Sequence, residues 1–179
     1  MRRMLARLAL AALLLPTSAP GTITRRRPTP RRPSQDQARC ADPVAGVWVG
    51  RRYWDAWGEW VVFTLTIRHV QGSADALEGT IENHAWEGPR SQTQPRPCEA
   101  NALDVVIAQP AVGTWSAGTL SFHGTSWRVA RQACRGWSRY NLDHFQGPVD
   151  PASGTFTSVN NDGGRDRDTP YIFRRIQCL

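Results

Sequence analysis

The chain has 179 residues, of which 40% are apolar, and this suits one folded domain with extensions because a single core suffices at that size. Its formal charge of +7 is typical of nucleic-acid-binding proteins, but nine of the 22 basic residues lie before Cys40, and from there on 13 Arg stand against 14 acidic residues. The domain itself is therefore near neutral, and no nucleic-acid partner is expected. Every cationic side chain is Arg, a bias expected of a bacterium with a GC-rich genome.

Two segments precede the domain. Residues 1–19 predict a secretory signal peptide, with Arg2, Arg3 and Arg7 followed by the apolar run Leu8–Leu15. That run is shorter than the roughly 20 residues needed to span a bilayer, so we expect an exported protein, periplasmic or secreted, with no transmembrane span in the mature form. Residues 20–39 contain four prolines and six arginines and predict a disordered tether. The folded domain is then residues 40–179.

Four cysteines in an exported chain predict two disulfide bonds rather than a metal site. If the first and last strands of a closed sheet are antiparallel neighbours, the residue before the first strand and the residue after the last lie at the same end. This topology pairs Cys40 with Cys178 and leaves Cys98 with Cys134. The four histidines show no metal-ligand spacing, so neither a metal nor a cofactor is expected.

From Gly46 onward the signals are nearly all typical of β-structure. Glu59–His69 alternates apolar and polar side chains, so one face is expected to pack and the other to contact water. Leu77–Trp86 is the next strand, and three prolines then break the pattern in residues 87–98. The further predicted strands are Leu103–Ile107, ended by Pro110, then Thr119–His123, Ser126–Arg131, Trp137–Gly147, Thr155–Val159 and Tyr171–Ile176. The chain is therefore predicted to be all-β, an antiparallel meander of eight or nine strands that favours a closed barrel.

The first predicted strand begins with Gly46-Val47-Trp48, and the last contains Arg174 and Arg175. This combination resembles the structural signature of the calycins, the superfamily of lipocalins, fatty-acid-binding proteins and avidins. The resemblance implies an up-and-down barrel of about eight strands whose interior can hold a small ligand. It also implies that Trp48 closes one end of the barrel, with Arg174 or Arg175 stacked over its ring.

The candidate ligand-binding residues are Trp54, Trp57 and Trp60, which follow Trp48 at the start of the domain. Aromatic faces stack on sugars and on other flat ligands. Trp54 and Trp57 lie next to the predicted turn at Gly58, where their rings can be partly exposed. The side chain of Trp60 alternates with those of the packing face of its strand, so its role is open.

A catalytic alternative depends on Tyr140 and His144. In an extended strand from Trp137 to Gly147, these two side chains point to one face and Asp143 points to the other, so Asp143 and His144 form no dyad. Tyr140 and His144 would act as acid or base on a ligand if both face a cavity. Residues 160–168 are rich in oxygen ligands, but their spacing misses the calcium-binding EF-hand pattern and favours a solvated loop.

These patterns predict an exported, monomeric, non-enzymatic β-barrel that binds a small apolar or aromatic ligand or serves as an envelope interaction module. One alternative is a barrel isomerase or cyclase that uses His144 and Tyr140 in a cavity. Another is carbohydrate binding through exposed, coplanar rings of Trp54 and Trp57. A filled barrel interior would argue against an internal ligand.

Overall fold

The computed structural model describes residues 40–97 and 101–179, which form nine β-strands. The strands are β1 (Gly46–Trp54), β2 (Glu59–His69), β3 (Ala76–Glu87), β4 (Asp104–Ser116), β5 (Thr119–Gly124), β6 (Arg128–Gln132), β7 (His144–Asp150), β8 (Thr155–Asn160) and β9 (Thr169–Gln177). In this part of the chain, no helix reaches the length and hydropathy of a membrane span.

The strands pair into a closed barrel. The sheet order is β3-β2-β1-β9-β8-β7-β5-β4-β6, and an additional pairing of β3 with β4 closes it. Eight strands thus form an antiparallel barrel in which β1 is hydrogen-bonded to β9, and β6 is an extra strand paired with the first half of β4. The predicted all-β meander is confirmed.

The barrel interior is filled by its own side chains. In β2, Val61, Phe63, Leu65 and Ile67 point inward and are at most 1% exposed, whereas the residues between them are partly accessible. The buried aromatic residues of this core are Trp48, Phe63, Phe122, Phe145, Phe156, Tyr171 and Phe173. Phe63 and Phe145, for example, meet edge to face with ring centroids 4.9 Å apart. The calycin resemblance implied an interior that can hold a ligand, but these rings occupy the space instead.

The two ends of the barrel differ. At one end, which we call the closed end, short connections join the strands (70–75, 117–118 and 151–154), and Cys40 is bonded to Cys178. At the other end, which we call the mouth, lie the turn 55–58 and the longer connections 88–103, 133–143 and 161–168. The predicted Cys40–Cys178 bond is confirmed. Cys98 lies outside the described residues, so its bond to Cys134 stays a prediction.

The closed end is built around Trp48, which is fully buried in β1. The guanidinium carbon of Arg175 lies 4.8 Å from the centroid of the Trp48 ring, and its Nη1 donates to the Asp42 carbonyl at 2.7 Å. Arg174, its neighbour in β9, is exposed. A Cβ at Gly46 would lie 2.8 Å from the Arg175 Cδ, so glycine leaves room for the arginine above the indole.

Two segments differ from the strands predicted for them. β4 continues through Pro110 instead of ending before it. This residue lies between the part of β4 paired with β6 and the part paired with β5, so no hydrogen bond from its nitrogen to either strand is required. Its carbonyl accepts a hydrogen bond from the Thr125 N–H at 2.9 Å. Residues 136–143 are irregular and β7 begins only at His144, since this segment crosses the mouth, where the Asp143 N–H donates to Gln109 Oε1.

Candidate functional site at the barrel mouth

A buried carboxyl group lies at the mouth, where the apolar interior ends. The side chain of Asp143 accepts hydrogen bonds from Gln109 Nε2 at 2.6 Å, Asn160 Nδ2 at 2.6 Å and Tyr140 Oη at 2.5 Å. Gln109 and Asn160 occupy buried positions of β4 and β8, so two strands of the barrel hold the carboxylate. Burial raises the pKa of Asp143 to about 6, although the three donors favour its ionised form.

Asp166, in the connection after β8, shares a donor with Asp143. Asn160 Nδ2 also lies 3.2 Å from Oδ2 of Asp166, and this oxygen accepts a second hydrogen bond from Tyr171 Oη at 3.1 Å. Burial raises the pKa of Asp166, and the positive charge of Arg165 opposes that shift. The other carboxylate oxygen, Oδ1, is buried and accepts no hydrogen bond from any described residue.

Asn83 supplies a second buried acceptor without a partner. It lies on the inward face of β3, 3% exposed, and its Nδ2 donates to Tyr140 Oη at 2.6 Å. Its Oδ1 is buried, and no donor within residues 40–97 or 101–179 reaches it. An unpaired buried polar atom costs roughly 1–3 kcal/mol. Two such acceptors at one end of a barrel therefore mark a place where a donor from outside is stabilised.

Both unpaired acceptors belong to residues that line one cleft of about 190 Å³. Trp137 and Tyr140 form its aromatic wall, with ring centroids 5.5 Å apart and planes inclined by 37°. The other lining residues are Asn83, Arg139, Asn141, Asp143, Asp162, Arg165 and Asp166. The cleft thus combines an aromatic wall, a feature of many small-molecule sites, with more hydrogen-bonding groups than such sites usually contain.

A tryptophan cluster surrounds Arg165 beside this cleft. The guanidinium carbon lies 5.3 Å from the ring centroid of Trp54, 4.9 Å from that of Trp57 and 5.9 Å from that of Trp137. Nη1 of Arg165 also donates to both carboxylate oxygens of Glu59, at 3.1 and 3.2 Å. Burial raises the pKa of Glu59, and Arg165 opposes the shift. One cation therefore ties the first hairpin to two connections of the mouth.

The three tryptophans proposed from the sequence as ligand contacts have different surroundings. Trp54 and Trp57 lie at the mouth with ring centroids 5.2 Å apart, but their planes are inclined by 51°, so they do not form a coplanar platform. Trp57 is 50% exposed. Trp60 lies on the outer face of the barrel, where it stacks on Trp86 and its N–H donates to the Pro89 carbonyl at 3.4 Å. The start of the connection after β3 therefore packs beside Trp60.

Tyr140 and His144, the alternative catalytic pair, do not face a common cavity. Tyr140 lies in the cleft wall, and burial raises its pKa well above the usual value. His144 lies on the outer face of β7, with its Nε2 3.1 Å from Ser121 Oγ and its ring 5.5 Å from that of His123. Burial lowers the pKa of His144. Because residues 136–143 are irregular, strand alternation does not relate the two side chains.

Sequence reasoning missed Asn160, Asp166 and Arg165, which it assigned to a solvated loop. That expectation is wrong for Asn160 and Asp166, which are buried. A signal was present at the inward positions of the strands, since Asn83 interrupts an otherwise apolar face. No group of three or more His, Cys, Asp or Glu side chains among the described residues is arranged to hold a metal ion.

Comparison with known proteins adds no assignment. No protein-family model, curated protein or solved structure matches the chain. Membership of the calycins therefore stays a prediction, and what the structure shows is a closed eight-stranded meander with Arg175 over the Trp48 ring. The chemistry of the mouth is the basis for assigning a function.

Proposed function

We propose that this protein is a binding module that holds a small ring-containing ligand in the cleft at the barrel mouth. The observation that carries the proposal is the pair of unpaired buried acceptors, Asn83 Oδ1 and Asp166 Oδ1, beside the rings of Trp137 and Tyr140. A ligand that donates to both acceptors removes a cost of roughly 1–3 kcal/mol for each, and stacking on the rings adds apolar contact.

The mouth suits a ligand better than the interior does. Phe145 packs against Phe63, Tyr171 and Phe173 with ring centroids 4.9 to 5.8 Å apart, so an apolar ligand inside the barrel would have to displace these rings. The cleft at the mouth already opens to solvent, and a ligand there has to shift side chains only to reach the two buried acceptor atoms. Its volume of about 190 Å³ favours a molecule smaller than a typical drug.

A second cleft, of about 260 Å³, lies beside the connection 88–103 and is lined by Trp86, Leu103 and neighbouring residues. It is larger, but none of the unpaired buried side-chain atoms of the described residues belongs to its lining. A ligand there would gain contact area without satisfying a buried polar group. The mouth cleft is therefore the better site.

The arrangement of polar groups at the mouth favours binding over catalysis. Both carboxylate oxygens of Asp143 already accept hydrogen bonds from the protein, so this group anchors the connection 133–143. His144 lies outside the cleft, which separates the two groups that an isomerase or cyclase would use. The inclined rings of Trp54 and Trp57 likewise give little support to a flat glycan platform.

Action outside the cytoplasm is part of the proposal. The Cys40–Cys178 bond supports it, because disulfide bonds persist mainly in oxidising compartments. The predicted signal peptide, residues 1–19, also supports export from the cytoplasm.

A fragment screen followed by amide and indole NMR tests the proposal. We expect ring-containing fragments to shift the signals of residues 137–143 and 161–166, and Trp137→Leu to weaken binding by at least about fivefold, because it removes half of the aromatic wall. Trp115→Leu, near the closed end, is the matched control and leaves binding unchanged. Fragments that bind only elsewhere, or equal affinity for both variants, would refute the proposal.

A further inference from the structure

We propose that the ligand of the mouth cleft is an organic cation, a small molecule that carries an ammonium or guanidinium group next to a ring. This inference rests on the proposed function and adds the charge of the ligand to it. Three features of the cleft support it: its charge, the kind of atom left unpaired, and the way the neighbouring tryptophans already hold a guanidinium group.

The charges around the cleft are predominantly negative. Its lining contains Asp143, Asp162 and Asp166 together with Arg139 and Arg165. Arg165 is already paired with Glu59 at its border. Three carboxyl groups against two guanidinium groups give the lining a formal charge of −1 near neutral pH. Beside the cleft, Glu59 and Arg52 carry one further charge of each sign. Because charge is costly in a place shielded from water, a cation is stabilised here and an anion is repelled.

Both unpaired buried atoms that belong to lining residues of the cleft are acceptors. Asn83 Oδ1 can only accept, and Asp166 Oδ1 belongs to a carboxylate. A primary ammonium group offers three donors and a guanidinium group five, and neither has an acceptor that would need a partner of its own. A neutral hydroxyl offers one donor and leaves the charge of Asp166 uncompensated. A cation therefore offsets the cost of burying this carboxylate, which raises the pKa of Asp166, more fully than a neutral donor does.

The mouth already shows how it holds a planar cation. The guanidinium group of Arg165 lies within 6 Å of three tryptophan ring centroids and bonds to Glu59. Trp137 belongs to this cluster and also to the cleft wall, where Tyr140 adds a second ring. Cation–π contacts are strongest where the cation is shielded from water. A ligand cation in the cleft would likewise lie among aromatic rings, those of Trp137 and Tyr140, and carboxylates.

Matched probes test the charge of the ligand. Benzylamine and benzyl alcohol have the same ring and nearly the same size, and phenylguanidine and phenylurea form a second pair. Affinities are measured by amide NMR titration near neutral pH at low salt. We expect each cation to bind at the mouth about tenfold more tightly than its neutral partner. Raising the salt concentration is expected to weaken the binding of the cationic probes and to leave the binding of the neutral probes nearly unchanged.

Asp166→Asn keeps the shape of the side chain and removes its charge, so the preference for benzylamine is expected to fall to about threefold or less. Asp150→Asn, exposed near the closed end, is the control and keeps the full preference. If Asp166→Asn does not fold, the salt dependence of the wild-type protein decides. Equal binding of charged and neutral probes at the mouth would overturn this inference and leave the proposed function standing. If no ring probe binds at the mouth, the proposed function itself is overturned.

Discussion

Replacing Asp143 with Asn tests whether the buried carboxyl group at the mouth titrates at unusually high pH. Its pKa is raised from 3.8 to about 6 in the folded protein, and it returns to about 3.9 in the unfolded chain. Because the folded state binds this proton more tightly, the group contributes stability below about pH 4 that is lost as the pH rises through about 6. A shift of roughly two units corresponds to about 3 kcal/mol of unfolding free energy.

Denaturant unfolding followed by tryptophan fluorescence between about pH 4 and about pH 7 measures this loss. The wild-type protein is expected to lose about 2 kcal/mol more than Asp143→Asn over that range, because part of the full loss falls outside it. Glu59, whose pKa is also raised, acts on both proteins with the same sign and cancels in the comparison. Asp166 interacts with Asp143 and shares its donor Asn160, so the difference between the two profiles reports this coupled pair. Asp150→Asn, a fully exposed control, does not flatten the profile. Parallel profiles for the wild type and Asp143→Asn would refute the argument from burial.

The core and the closed end support three further predictions, each measured by denaturant unfolding. Phe145→Ala removes a ring packed against three others and is expected to lower the free energy of unfolding by about 3–5 kcal/mol. The control Ile172→Ala, at a side chain 59% exposed, is expected to lower it by about 0.5 kcal/mol or less. Equal losses for the two variants would contradict the role of packing. Arg175→Ala removes two hydrogen bonds to carbonyls and the contact with the closed-end tryptophan, for about 2 kcal/mol, and Arg174→Ala, the control, is nearly neutral. Loss of the Cys40–Cys178 bond through Cys40→Ser is expected to cost about 5 kcal/mol in the chain-entropy model, and an unchanged free energy of unfolding would count against that value.

The strands were predictable wherever one face is buried and the other is wet. The predicted strand Glu59–His69 has the same bounds as β2, because alternation sorts its residues between core and solvent without reference to any other part of the chain. The Cys40–Cys178 bond was predictable for a related reason, since closure of a meander fixes which ends meet. The strand end predicted at Pro110 was wrong because a proline within a strand is tolerated or not according to the neighbouring strand. At that point of β4 the neighbour changes from β6 to β5.

The mouth was harder to predict because its residues come from separate parts of the chain. Asn83, Asp143 and Asp166 meet only after the barrel has closed, and no spacing in the sequence connects them. Alternation also fails in 136–143, where hydrogen bonds of Asp143 to other strands replace a ladder. The polar residue Asn83 on an apolar strand face was the most informative local signal, since a buried amide requires a partner.

The pairing of the first strand with the last bears on how the chain folds. The other neighbouring strands of the described barrel are consecutive in the chain or next but one, so they pair by closing much shorter loops. β1 and β9 must instead meet across nearly the whole domain. Joining such distant segments costs loop-closure entropy and slows folding. The Cys40–Cys178 bond, which spans 138 residues, holds these same two strands together. A chain oxidised early therefore starts its search for the native state with its longest loop already closed, and the last step of assembly becomes a local one.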